Sequence, residues 1–193
     1  MRPCVYLAGP DVFLRDPVAW LARKQAICAA YGLVGVSPLD QPAAEQPEWA
    51  SLPPWRRIAL QNEARIRSCA AVIANLTPFR GPSADAGTVY EVGYARGLGR
   101  KVFGYATVAA PFLERTLALM PGRQDPDGSW WDPDNLLIEQ FGLLDNLMIE
   151  AACADTGGVL AEDSRDRWHD LDVFERCVRH AAQVLVEAEE PVG

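Results

Sequence analysis

The sequence predicts an α/β fold, a parallel sheet with helices on both faces. Three observations carry that prediction. Between Cys4 and Ala106, short apolar runs alternate with longer segments of helical spacing, in the order β-α-β-α-β-α-β. The run Ala70–Leu76 is almost continuously apolar, as a central strand buried on both faces must be. Turn-forming residues, Gly9-Pro10 and the stretch from Gly81 to Gly87, follow strands at their carboxyl ends, where sheets of this kind bind ligands.

Cys4–Ala8 reads as the first buried strand, stopped by Gly9-Pro10. Pro17–Tyr31 carries helical spacing through Trp20, Leu21, Lys24, Ile27 and Cys28, and Gly32 stands where a helix ends. Leu33–Ser37 is a second strand, and Pro38–Pro54 a long loop holding five prolines. Trp55–Ser68 is a second helix, with Ile58, Gln61, Asn62, Arg65 and Ile66 marking its faces. The central strand follows, then a Gly/Pro/Ser loop, a helix to about Leu98, and a strand over Lys101–Ala106. Beyond these, Gln124–Asp134 is a polar, aromatic insertion, and Asn135–Cys153 is expected to be helical with a break at Gly142. Gly157–Leu160 fits an edge strand and Leu171–Glu187 an amphipathic closing helix. The whole, 1–193, reads as a single flavodoxin/Rossmann-like domain, with 154–193 a C-terminal helical segment.

Composition narrows function. The net charge is −8, with 18 basic against 26 acidic residues and no basic run, so nucleic acid is excluded as a partner. No apolar stretch is long enough to span a membrane, and the N-terminus lacks a signal-peptide core, so a cytoplasmic protein is expected. The five cysteines form no C-x-x-C pair, and the two histidines, His169 and His180, sit far from most of them, which argues against a disulfide framework or a metal site.

Two acids bracket the glycine turn after the central strand, Asp85 and Glu91. Six residues apart on one helix they would point about 240° away from each other. Gly87 instead puts Asp85 in the loop and Glu91 in the helix, so both can face one pocket. Structural readings compete. Thr88–Glu91 fits a capping box, and Ser83 or Asp85 fits a helix N-cap. The functional reading of Glu91 is a nucleophile or an acid/base carboxylate in the first turns of a helix. Neither a P-loop nor a G-x-G-x-x-G fingerprint is present, and an acid in the loop repels phosphate. Trp130-Trp131 reads as packing, Asn62 as bonding backbone, and Asp40 as turn-forming or functional.

Four segments, Tyr6–Phe13, Ala71–Thr88, Tyr90–Ala95 and Asp145–Ile149, in this order resemble the nucleoside 2-deoxyribosyltransferases, over about residues 4–150. The resemblance implies exchange of the base on 2′-deoxyribonucleosides through a covalent deoxyribosyl-enzyme, with free nucleobases as the other substrates and no cofactor. It implies Glu91 as the nucleophile at C1′ and Tyr6 as the group that orients it. It implies that Asp85, beside Gly87, binds the sugar hydroxyls, above all the 5′-OH. Gly9, Pro10, Asp11 and Phe13 would line the base pocket, with Phe13 an aromatic wall. Asn146 would reach into a neighbouring subunit's site, which implies a homo-oligomer, a dimer or trimer of dimers, with shared active sites. One departure stands out. The family often has an acid at the start of the central strand that contacts or protonates the base, and Ala70 occupies that place here. Base recognition then falls to another group, Asp11 or water. Relatives that hydrolyse 2′-deoxynucleoside 5′-monophosphates tend to carry Ser where Asp85 stands; Asp85 favours nucleosides. Hydrolysis of nucleosides or their monophosphates, and a non-catalytic sensing module, are the alternatives.

Overall fold

In the computed structural model, residues 2–41 and 47–187 are described; part of the proline-rich loop lies outside them. The strands of the main sheet are β1 (Cys4–Ala8), β2 (Val34–Val36), β3 (Ala71–Asn75), β4 (Lys101–Ala106) and β8 (Val159–Ala161). All pair in parallel, in the order β2-β1-β3-β4-β8. This is the doubly wound, flavodoxin-like arrangement, in which the chain reverses direction across the sheet between β1 and β3.

Strand periodicity decides what each helix covers. Val5 and Leu7 of β1, Ile73 of β3 and Phe103 and Tyr105 of β4 face one way. They pack against α1 (Pro17–Ala30) and α6 (Asp172–Glu187) through Cys28, Phe174, Cys177 and Val178. The alternate residues Tyr6, Ala8, Val72, Ala74 and Val102 face the other way. Against them lie α2 (Pro54–Ser68), α3 (Ala86–Gly97) and α5 (Leu147–Cys153), through Ile66, Val92, Ala95, Ile149 and Cys153. Cys28, Cys69, Cys153 and Cys177 are buried and free, packing as small apolar side chains.

The C-terminal third differs from the sequence expectation. Asn135–Cys153 is not one broken helix. Arg123–Gln124 (β5), Trp130–Trp131 (β6) and Leu137–Ile138 (β7) form a small antiparallel sheet, and only Leu147–Cys153 is helical. A turn over Asp132–Asn135, with Asn135 in the left-handed region at φ 60°, closes the β6–β7 hairpin. A further helix, α4 (Phe112–Leu119), was not expected from the sequence.

Two loops are set by the sheet at its carboxyl rim. After β1, Gly9 holds φ 158°, and a Cβ there would lie 2.4 Å from Asp11 Oδ2 and 2.8 Å from Asn75 Cβ. Only glycine fits so close a backbone approach. After β3, Asp85 caps α3, its Oδ2 accepting from Thr88 N at 2.9 Å and from Thr88 Oγ1 at 3.1 Å. The Thr88–Glu91 capping box is therefore not made: Thr88 already lies inside the helix and Glu91 a turn deeper.

Candidate active site

Tyr6 reaches the α2/α3 side of the sheet because its strand neighbours Val5 and Leu7 take the opposite face. There its hydroxyl donates to Glu91 Oε1 at 2.7 Å. From α2, Asn62 Nδ2 donates to the same oxygen at 3.2 Å. Both bonds end on Oε1. Oε2 has no hydrogen-bond partner among the described residues.

Glu91 borders a cavity of about 380 Å³ at the carboxyl rim. The loop after β1 contributes Gly9, Val12 and Phe13; the loop after β2 contributes Pro38 and Leu39. Ile58, Gln61 and Asn62 come from α2, and Asp85, Gly87, Thr88 and Glu91 from the head of α3. The volume matches a small organic ligand, and the walls mix apolar and amide groups with two carboxylates. Asp85 uses Oδ2 for its cap, and Oδ1 has no bond among the described residues.

Burial pushes the Glu91 carboxyl up to about 7. The Tyr6 bond opposes that rise, the nearby Asp85 charge adds to it, and the Asn62 bond opposes it. Tyr6 is fully buried beside that carboxylate, so its phenol is pushed far above its ordinary range and remains a donor.

The expected site residues divide. Gly9, Phe13, Asp85, Gly87 and Glu91 line the cavity, and Tyr6 supports it from below. Phe13 also borders a neighbouring depression, where it stacks on Phe79 with centroids 5.3 Å apart, and Pro10, expected in the base pocket, lines that depression and not the cavity. Asp11 does not reach the cavity. It is 4% exposed, ion-paired to Lys24 Nζ at 3.1 Å and bonded by Trp20 Nε1 at 2.8 Å and Asn75 Nδ2 at 3.2 Å. A carboxylate this fully engaged locks the Gly9 loop to α1 and is not offered to a base. Asn146 is also elsewhere in the single chain. It caps α5 by accepting from Met148 N at 3.0 Å and donates to Glu139 Oε1 at 2.7 Å. It borders an apolar groove of about 850 Å³ between α3 and α5.

Asn62 corrects the sequence reading, which gave it a backbone partner: its amide lies between Glu91 and Arg65. Gln61 was also missed, and its amide has no intramolecular bond among the described residues. The available signal was two adjacent amides on a helix that packs against α3. Among the described residues, no group of three His, Cys, Asp or Glu is placed to hold a metal ion, and no helix is long and apolar enough to cross a membrane.

Comparison with known proteins identifies the family and the fold. The family model described as nucleoside 2-deoxyribosyltransferase matches residues 5–148. An uncharacterised protein of Schizosaccharomyces pombe is 30% identical over 172 residues, covering 83% of this chain and 82% of its own. A solved structure described as a 2-desoxiribosyltransferase from Leishmania mexicana is 28% identical, with a TM-score of 0.59, over 92% of this chain and 98% of that one. A conserved protein from Enterococcus faecalis shares the fold, with a TM-score of 0.54 at 15% identity, over 95% of this chain and 99% of that one. The family match spans most of the chain and the strand order is consistent with it, and the chain belongs to the nucleoside 2-deoxyribosyltransferase family.

Proposed function

We propose that the protein exchanges the base of 2′-deoxyribonucleosides through a covalent deoxyribosyl–Glu91 intermediate, with retention at C1′. One observation carries the reading: Tyr6 and Asn62 both bond Glu91 Oε1, so Oε2 stays uncommitted at the cavity wall. A carboxylate held by one oxygen is oriented, and the other remains a nucleophile. In the first step Oε2 bonds to C1′ as the C1′–N bond breaks. The bonding pair leaves with the base, which takes a proton from solvent. In the second step a nitrogen of the incoming base attacks C1′, the ester bond breaks, and the base loses its proton. Two displacements at one carbon retain configuration. Positive charge builds at C1′ in both transition states, beside a carboxylate in a half-buried site where charge interactions are strong.

Asp85 serves the sugar's 5′ end in this reading. Its Oδ1 accepts a hydroxyl proton and repels a phosphate, so nucleosides are favoured over their monophosphates. Phe13 offers a face for the base, and the Gln61 amide offers both a donor and an acceptor, taking the place first expected of Asp11. A second copy of the chain would cover the α3–α5 groove. Met148, 71% exposed on its rim, gives that groove an apolar lip.

The test is a product assay with deoxyinosine or thymidine, with and without adenine. Deoxyadenosine formed only with adenine establishes transfer. Free base released equally fast without acceptor assigns hydrolysis instead. Binding with no turnover of nucleosides or monophosphates assigns the sensing role. Glu91→Ala abolishes exchange in the proposed mechanism, and full activity in that variant ends it. Light scattering on dilution reads the oligomer.

A further inference from the structure

Arg65 is 9% exposed, whereas Arg56 and Arg67 on the same helix face solvent. Its guanidinium has two destinations. One arm donates to Asn62 Oδ1 at 3.0 Å, and the other to the backbone carbonyl of Asp40. The first contact settles which way the Asn62 amide points. A guanidinium only donates, so Asn62 must turn its oxygen to Arg65 and its NH₂ to Glu91. Reversed, the amide would set its oxygen against the carboxylate and its NH₂ against the cation. The second contact holds the Ser37–Asp40 turn, which Asp40 itself stabilises by accepting from Ser37 N at 2.8 Å and Gln25 Nε2 at 2.9 Å. That turn presents Pro38 and Leu39 to the cavity.

We propose that Arg65 is a positioning residue that acts at two places: through the Asn62 amide it orients Glu91, and through the Asp40 carbonyl it fixes the wall formed by Pro38 and Leu39. The proposal rests on reading Glu91 as the nucleophile. Every group that faces Glu91 has a defined part in it: Tyr6 from β1, Asn62 from α2 and Asp85 at the head of α3. Tyr6 alone fixes one direction on Oε1. The Asn62 bond adds a second, and two bonds to one oxygen define where the other oxygen points. Arg65 touches no substrate in this arrangement, so its effects on turnover pass through Asn62 and its effects on binding pass through the turn.

A double-mutant cycle separates this from a merely structural role. Asn62→Leu, Arg65→Met, the double variant and Arg65→Lys are compared with the wild-type chain by transfer kinetics. The carbon-13 signal of the Glu91 side chain, assigned with Glu91→Gln, is followed against pH. In Asn62→Leu, kcat is expected to fall roughly tenfold, the scale of one hydrogen bond to a charged group. The Glu91 titration midpoint moves up. Arg65→Met is expected to reproduce both changes and to raise KM as the wall loosens. The double variant is expected to match Arg65→Met in kcat and in titration, because the Asn62 amide is the hydrogen-bonded link between Arg65 and Glu91. Additive losses of kcat, or a Glu91 titration unmoved in either single variant, overturn the proposal. If Arg65→Met does not fold, Arg65→Lys takes its place: one ammonium cannot reproduce the fork, so the titration must still move. A wild-type chain that turns over no nucleoside refutes the proposed function and leaves the titration to decide the positioning role.

Discussion

Glu91→Gln is expected to inactivate the protein and, above neutral pH, to stabilise it. The wild-type carboxyl is raised from 4.5 to about 7, chiefly by burial. For a group whose folded value lies above its unfolded one, the stabilising contribution is complete below the unfolded value and is lost as pH rises through the folded one. Glutamine is neutral throughout and has nearly the shape of the protonated acid. It also keeps an oxygen to accept from Tyr6 and Asn62. The two proteins should therefore be equally stable near pH 4. They should diverge between 4.5 and 7 and differ by about 3 kcal/mol above pH 8, at 1.36 kcal/mol per pH unit of difference. For a chain of this size that corresponds to roughly 6–10 °C in Tm. Melting curves from pH 4.5 to 9, read by circular dichroism for both proteins, measure it. A constant offset across that range, or a variant less stable at pH 8, would refute the claim that an ionised Glu91 is costly in the folded state.

Tyr6→Phe removes the shorter of the two bonds to Oε1. It should cut kcat by about one to two orders of magnitude and move the acid limb of kcat/KM to higher pH, because a bond favouring the ionised form is lost. An unmoved limb in the pH–rate profile would show that Tyr6 does not tune Glu91. Asp85→Ala should raise KM and lower kcat together and cost about 1 kcal/mol of stability as the α3 cap is lost; an unchanged kcat/KM removes Asp85 from the site. Gly9→Ala would drive a methyl into Asp11 and Asn75 and disturb the buried Asp11–Lys24 pair, so a loss of about 3 kcal/mol or more is expected in urea unfolding. A loss below about 1 kcal/mol would show that the loop yields easily.

Local patterns carried most of the fold. The apolar run at Ala71–Asn75 and the helical spacing of Pro17–Ala30 are fixed by residues near one another, so periodicity finds them. Asn135–Cys153 misled because Leu136, Leu137, Leu143, Leu144, Leu147 and Met148 recur at i, i+4 and i, i+7 and imitate a helical stripe. Asn135 in fact closes a hairpin and Gly142 takes φ 72°, so the stripe is divided between β7, a turn and α5. The site follows the same rule. Asp85 and Glu91 were legible because six residues and a glycine set their relation. Asn62 and Glu91 are 29 residues apart, and only the packing of α2 on α3 makes them partners. Asp11 misled for the converse reason. It follows a glycine turn at a strand end, as a ligand-binding acid would, but α1 brings Lys24 and Trp20 against it.

The raised pKa of Glu91 bears on catalysis as well as stability. A nucleophilic carboxylate gains from being ionised, yet the site holds this one where ionisation is costly, with Asp85 adding to the cost. In the proposed reaction that cost has a partner. Charge of the opposite sign develops at C1′ only as the glycosidic bond breaks, against the uncommitted Oε2. The poorly solvated carboxylate then interacts with the cationic transition state more strongly than with the neutral sugar of the ground state. Full solvation of Glu91 would remove that difference. Two bonds on Oε1 rather than one on each oxygen serve the same end, because they keep the carboxylate populated and aimed without quenching the oxygen that reacts. A variant that adds a donor to Oε2 should lower the Glu91 titration midpoint and slow turnover at pH 8, where wild-type Glu91 is already ionised. Faster turnover at that pH would show that population of the anion, not its exposure to the developing charge, limits the rate.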